Sequence, residues 1–426
     1  LKPSIMNRWT ALAAGLLTLA AACGGSGPTG APAQPEDAAP ATASIQSTAE
    51  NPKPAAIVPE GSSAVPRTIP DLDRSIHSVP LEDILFDTFG RTRARFVPLS
   101  EISDELQTDL RDAIIPVDLP AYGGVDALPW LADDDLVLGY ESDGEAFAYP
   151  INILNFHEIV NDTIGGVPLL ITYCPLCFSG VVFSREVDGQ TLTFGNTSAL
   201  YQSDLVMYDH QTGSYWFQVA GEAVVGTLTG SRLKPLPSAT MPWGAWKALH
   251  PDTLLITGAQ GGRETIFAGS RYGSGFGSGY QDRINKGQFI FPVDEDKLDG
   301  RLAAGEIVLT VETGGGITAF PLGVIGDGAV NAVVGGEAIV VFTTSGGRSV
   351  GAFSRTIEGP TGGRTLTFDY QEDERFTDRE TGSTWDFAGR AGDGPLAGSR
   401  LERVSTRRSL WFAVAIAFPD IDIHSP

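Results

Sequence analysis

The sequence predicts a mainly β protein made of two tandem copies of a homologous β-rich module with a few short helices. Three observations carry that expectation. Runs rich in Val, Ile, Thr and Phe (LVLGYE, PLLITY, GVVFS, TLTF, EIVLTVE, EAIVVF, GAFSR) are bounded by Gly, Asp and Asn, as strands between turns are. Long helical periodicity is scarce. One set of landmarks also occurs twice in the same order. The first copy runs IPVD (115–118), DLVLGYESDGEAFAYP, NDTIGGVPLLITYC, FSR, GQTLTF, DHQTGSYW, LTGSRL and HPD. The second runs FPVD (291–294), EIVLTVETGGGITAFP, NAVVGGEAIVVFTT, FSR, GRTLTF, DRETGSTW, LAGSRL and FPD.

From the N-terminus, Arg8 precedes the small and apolar run TALAAGLLTLAAA, which ends at Cys23. Residues 1–22 are expected to be a signal peptide, with Met6 as the true start. The run is shorter than the roughly 20 apolar residues that cross a bilayer. The string LAAAC resembles a lipobox, which makes Cys23 the expected lipidated residue; plain secretory cleavage after Ala22 is the alternative. Residues 23–70, rich in Pro, Ala, Ser, Thr and Gly, read as a disordered tether. Residues 71–113 are an N-terminal extension packing on the first module, with a short helix expected over 100–114. The first module covers 114–253; 240–252 suits a short helix, and 153–162 suits helix or strand. A Gly- and aromatic-rich link, 254–289, joins it to a second, site-less module at 290–421.

The chain carries 29 Lys plus Arg against 52 Asp plus Glu, a formal charge of −23. That balance argues against nucleic acid and anionic membrane surfaces as partners. The expected membrane association is through the lipid at Cys23, in an exported, cell-surface or periplasmic lipoprotein. No nucleophile elbow, phosphate-binding loop or dinucleotide fingerprint occurs.

The repeat separates scaffold from chemistry. Gly165-Gly166 with Gly335-Gly336, Trp216 with Trp385, and Asp209 with Asp378 occur in both copies and read as turns and core. His157, Cys174 and Cys177 occur in the first copy alone, opposite Asp327, Thr344 and Gly347. Of three cysteines, lipidation takes one and leaves a single Cys-x-x-Cys in ITYCPLCFSG. Three readings follow. A structural disulfide suits an oxidising compartment but closes a tiny loop, which yields little entropic stabilisation. A redox dithiol is common where the motif opens a helix, whereas FSGVVFS reads as strand. A metal site would use two thiolates and an imidazole for Cu or Zn, with His157 as the imidazole and Glu158, Met207 or His210 as a fourth ligand. Asp204, Tyr208, Asp209 and Trp216 mark a candidate pocket, although Asp209 and Thr212 also suit an Asx turn. The function expected is therefore extracytoplasmic metal handling or thiol redox chemistry; the rival is a non-enzymatic binding module with a structural disulfide.

NFHEIVNDTIGGVPLLITYCPLCFSGVVF, followed by LTFGNTSALYQSDLVMYDHQTGSYW and a Trp-rich stretch before HPD, resembles the uncharacterised family known as domain of unknown function 3179. The resemblance covers nearly all of 75–421. His157, Glu158, Cys174 and Cys177 fall on that family's HEIVND and TYCPLC strings. It implies an exported or membrane-tethered protein and brings no activity with it. Relative to the family pattern, 86–106 looks like an insertion.

Overall fold

Short β-branched runs, buried almost throughout in the central strands, form strands here rather than helices. Strand makes up 43% and helix 13% of the described residues, so the protein is mainly β. The computed structural model describes residues 68–259, 267, 279–358, 363–372 and 374–425. All of these lie in one unit, Pro59–Pro426. The expected signal peptide, most of the expected tether and Cys23 lie outside the described residues. Among the described residues no helix is long and apolar enough to cross a membrane.

The elements that place the site are, in chain order, β1 (Ile84–Asp87), α1 (Asp104–Leu110), β2 (Leu136–Ser142), β3 (Glu145–Pro150), α2 (Ile151–His157), β4 (Ile159–Ile164), β5 (Val167–Cys174), β6 (Ser179–Ser184), β7 (Phe194–Tyr201), β8 (Asp204–Asp209), β9 (Tyr215–Phe217), β10 (Ala239–Pro242), α3 (Trp243–Leu249), α4 (Tyr280–Asn285), β11 (Ile307–Thr313), β12 (Gly316–Pro321), β13 (Gly328–Val334), β14 (Glu337–Thr344), β15 (Ser349–Ser354) and β16 (Thr406–Leu410). The 153–162 segment, which suited helix or strand, is both. It leaves the helix at His157 and enters β4 at Ile159, with Glu158 between them at φ 57. The stretch expected as a link opens with another strand, Leu254–Ala259, which runs parallel to β3.

Two large sheets each draw strands from both parts of the chain. In one, neighbours run β4, β5, β6, β16, β11, β12; in the other they run β13, β14, β15, β10, β2, β3. β4 and β5 turn at Gly165-Gly166, and β13 and β14 turn at Gly335-Gly336. Each of these glycines has positive φ, which a two-residue hairpin of this kind requires. A third sheet contains β9, β8, β7 and β1 in that order. The extension thus adds β1 to the edge of β7, pairing Ile84 with Tyr201.

An apolar core shared by the third sheet and β5 and β6 contains Cys174, Cys177, Met207, Trp216 and Phe183, all fully or almost fully buried. Burial of this kind contributes about 25 cal/mol per Å² of apolar surface. Polar groups carried into it must therefore find partners, and those partners define the site.

Candidate thiol and carboxylate centre

β5 runs straight into the Cys-Pro-Leu-Cys loop, and β6 brings the chain back with Ser179 directly opposite Cys174. Pro175 fixes one φ and removes one N–H in that loop. Phe178 leaves it at φ 55, a left-handed conformation that costs a bulky residue about 1–3 kcal/mol. Cys174 and Cys177 are free thiols, 1% and 0% exposed.

Asp204 completes the centre. The β7–β8 turn is made by Gln202 and Ser203, both with positive φ. Gln202 is held there by the Asp294 N–H, which donates to its Oε1 at 2.7 Å. The turn delivers Asp204 to the loop. Cys177 Sγ donates to Asp204 Oδ1 at 2.8 Å, and the Val219 N–H donates to Oδ2 at 2.9 Å. One ligand atom each from Cys174, Cys177 and Asp204 lies within 4.8 Å of both others. Beside them a polar chain is closed: Cys177 Sγ lies 3.1 Å from Ser179 Oγ, which donates to Gln218 Oε1 at 2.6 Å. Gln218 Nε2 in turn donates to Thr172 Oγ1 at 2.7 Å.

Burial sets the protonation states. It pushes the Asp204 carboxyl up to about 6, against the hydrogen bonds it accepts. It pushes Glu158 up to about 8; the Asn196 amide, donating at 2.7 Å, opposes the rise and the Asp204 charge adds to it. Both thiols are raised for the same reason, Cys177 well above the ordinary value. Four acidic groups thus share a desolvated region. Among the described residues, neither Asp204 nor Glu158 is ion-paired with a basic side chain. A cation of suitable softness would relieve that arrangement.

His157 is not a member of this centre. As the last residue of α2 it follows the helical period. Its Nδ1 lies 2.8 Å from the Ile115 carbonyl and so carries the proton, and its ring packs 5.1 Å from Phe267. The left-handed Glu158 turns the chain into β4, and its carboxylate accepts from the Asn196 amide while its carbonyl accepts the Tyr173 N–H at 2.8 Å. The third group at the cysteines is therefore Asp204, a carboxylate in place of the expected imidazole. Met207 is fully buried in the same core, register-paired with Asn196 and Trp216. His210 stacks on Tyr208 at 5.2 Å with neither ring nitrogen hydrogen-bonded, and burial lowers its pKa.

The other expected pocket residues separate by role. Tyr208 donates to Asp112 at 2.7 Å, where Gly195 leaves room for both side chains. Asp209 accepts from the Thr212 N–H at 2.6 Å and from Trp216 Nε1 at 3.0 Å. That is the Asx turn. Asp378, Thr381 and Trp385 repeat it at 2.6 and 2.9 Å. Ser179, Gln218 and Asn196 lie at the centre without having been singled out by sequence. Ser, Gln and Asn carry no distinctive spacing; the Cys174–Ser179 register reveals the first, and side-chain hydrogen bonds reveal the other two.

No curated protein and no solved structure matches the chain. The family model described as protein of unknown function (DUF3179) matches residues 111–421, so the chain belongs to the DUF3179 family.

Proposed function

We propose that this is an exported, lipid-anchored protein whose Cys174, Cys177 and Asp204 bind a thiophilic metal ion, zinc or copper, in extracytoplasmic metal handling. The observation that carries this is the buried convergence of two thiols and a carboxylate within 4.8 Å. Ligand atoms around tetrahedral zinc lie about 3.5 Å apart, at bond lengths of about 2.0 to 2.3 Å, so side-chain rotation suffices to close the shell. Glu158, whose charge is felt at Cys174 and which feels that of Asp204, is a candidate for a fourth ligand. The N-terminal string ending in Cys23 and the tether behind it support export and anchoring. Metal analysis of the mature protein, with and without Asp204→Ala, tests the reading: bound zinc or copper lost in the variant supports it.

A second reading, thiol redox chemistry, is favoured by the 2.8 Å contact between Cys177 and Asp204. A carboxylate with a pKa of about 6 is placed to take the thiol proton. The dithiol would then give two electrons and two protons to an acceptor disulfide, forming its own disulfide while the acceptor becomes two thiols.

We further infer that the two parts of the chain are copies of one module. The matched sheet orders, the paired glycine turns and the repeated Asp–Thr–Trp clusters support this. On that reading the copies exchange strands, and the boundaries at 114–253 and 290–421 mark sequence repeats that share both large sheets.

A further inference from the structure

The cysteine loop is gripped from a distant part of the chain. The Cys177 carbonyl accepts from the Leu410 N–H at 2.8 Å and from the Ser409 hydroxyl at 3.0 Å. The Leu410 carbonyl, at 3.3 Å, is the longer of the two acceptors within reach of that hydroxyl. One residue earlier, the Leu176 carbonyl accepts from the Tyr280 hydroxyl at 2.8 Å. β16 reaches the loop because Arg408 pairs with Gly180 of β6.

The grip lies where the backbone is strained. Two donors fix the plane of the Cys177–Phe178 peptide, and Phe178 is the aromatic residue at φ 55. Such a conformation persists where its surroundings over-determine it. Holding that plane restrains the direction of the Cys177 Cα–Cβ bond, from which the sulfur reaches to 2.8 Å from Asp204. The corresponding junction of the other large sheet lacks the grip. There Thr240 pairs with Val350, and the next two residues are Met241 and Pro242. In the places of Ser409 and Leu410, Met241 offers no hydroxyl and Pro242 no N–H. Both donors are therefore present only at the junction that faces the cysteines.

We propose that Ser409 is a positioning residue for the Cys174, Cys177 and Asp204 centre, so that the stretch of chain without cysteines completes the site. The proposal rests on that centre being where the protein does its chemistry. The test uses the full mature chain and two readouts: Co²⁺ titration followed by thiolate-to-metal absorption, and alkylation rates of Cys177 relative to Cys174 in metal-free protein. Ser409→Ala is expected to weaken Co²⁺ roughly tenfold, in the range of outer-shell changes at metal sites, to alter the absorption band, and to raise the Cys177 to Cys174 alkylation ratio. Ser409→Thr, which keeps the hydroxyl, restores all three. Ser409→Val, matched to threonine in shape, replaces the alanine variant if that does not fold. An unchanged spectrum, affinity and alkylation ratio without the hydroxyl overturns the proposal. If the unaltered protein binds no Co²⁺, the metal reading fails, and the alkylation ratio alone decides the role of Ser409.

Discussion

The Cys177 thiol donates to the Asp204 carboxylate across 2.8 Å, joining the loop after β5 to the hairpin turn that opens β8. Neither residue is exposed to solvent. The contact makes one unit of two groups 27 residues apart. Asp204→Asn keeps the shape and removes the charge. Bound zinc or copper is expected to fall at least tenfold in affinity, read by competition with a chromophoric chelator, while the fold is retained by circular dichroism.

The metal-free protein should lose stability as pH rises. Asp204 and Glu158 titrate at about 6 and about 8 when folded, against ordinary values of 3.8 and 4.5. Their protonated forms therefore stabilise the fold. That contribution is complete below about pH 4 and is lost as pH climbs toward 8. For Glu158 the shift from 4.5 to about 8 corresponds to at most roughly 5 kcal/mol. Denaturant unfolding between pH 4 and 8 checks this, with Glu158→Gln expected to flatten the upper part of the profile.

His157→Ala should act on stability and spare the metal. The substitution leaves the Ile115 carbonyl without the imidazole at 2.8 Å and should cost about 1–2 kcal/mol. Metal affinity should change less than threefold. A loss as large as that of Asp204→Asn would show that His157 is a ligand.

Asp209→Ala and Asp378→Ala should destabilise by similar amounts, about 1–3 kcal/mol each, because each strands a buried indole N–H. Trp216 and Trp385 are 0% and 1% exposed. Neither change should alter metal binding. Chemical denaturation of both variants provides the comparison.

The sequence made the strands and turns legible because they follow local rules: β-branched runs, paired glycines and the Asx turn at Asp209 all appear where their chemistry requires. The cysteine pair was legible for the same reason. Asp204 was visible only as a pocket residue, since nothing in SDLVMYD announces that a two-residue turn carries it to a loop 27 positions earlier. His157 misled because it closes the helix α2, whose period turns its ring to the Ile115 carbonyl and Phe267 and away from the thiols. Ser409 was invisible, because its partner is a backbone carbonyl 232 residues away, brought near where β16 pairs with β6.

Metal content measured together with thiol count, on mature protein purified without chelators or reductants, tests the central claim most directly. The account predicts close to one zinc or copper per chain, with Cys174 and Cys177 protected from alkylation until the metal is removed and both reactive afterwards. Metal-free protein whose cysteines form a disulfide, and which takes up no zinc or copper after reduction, would contradict it.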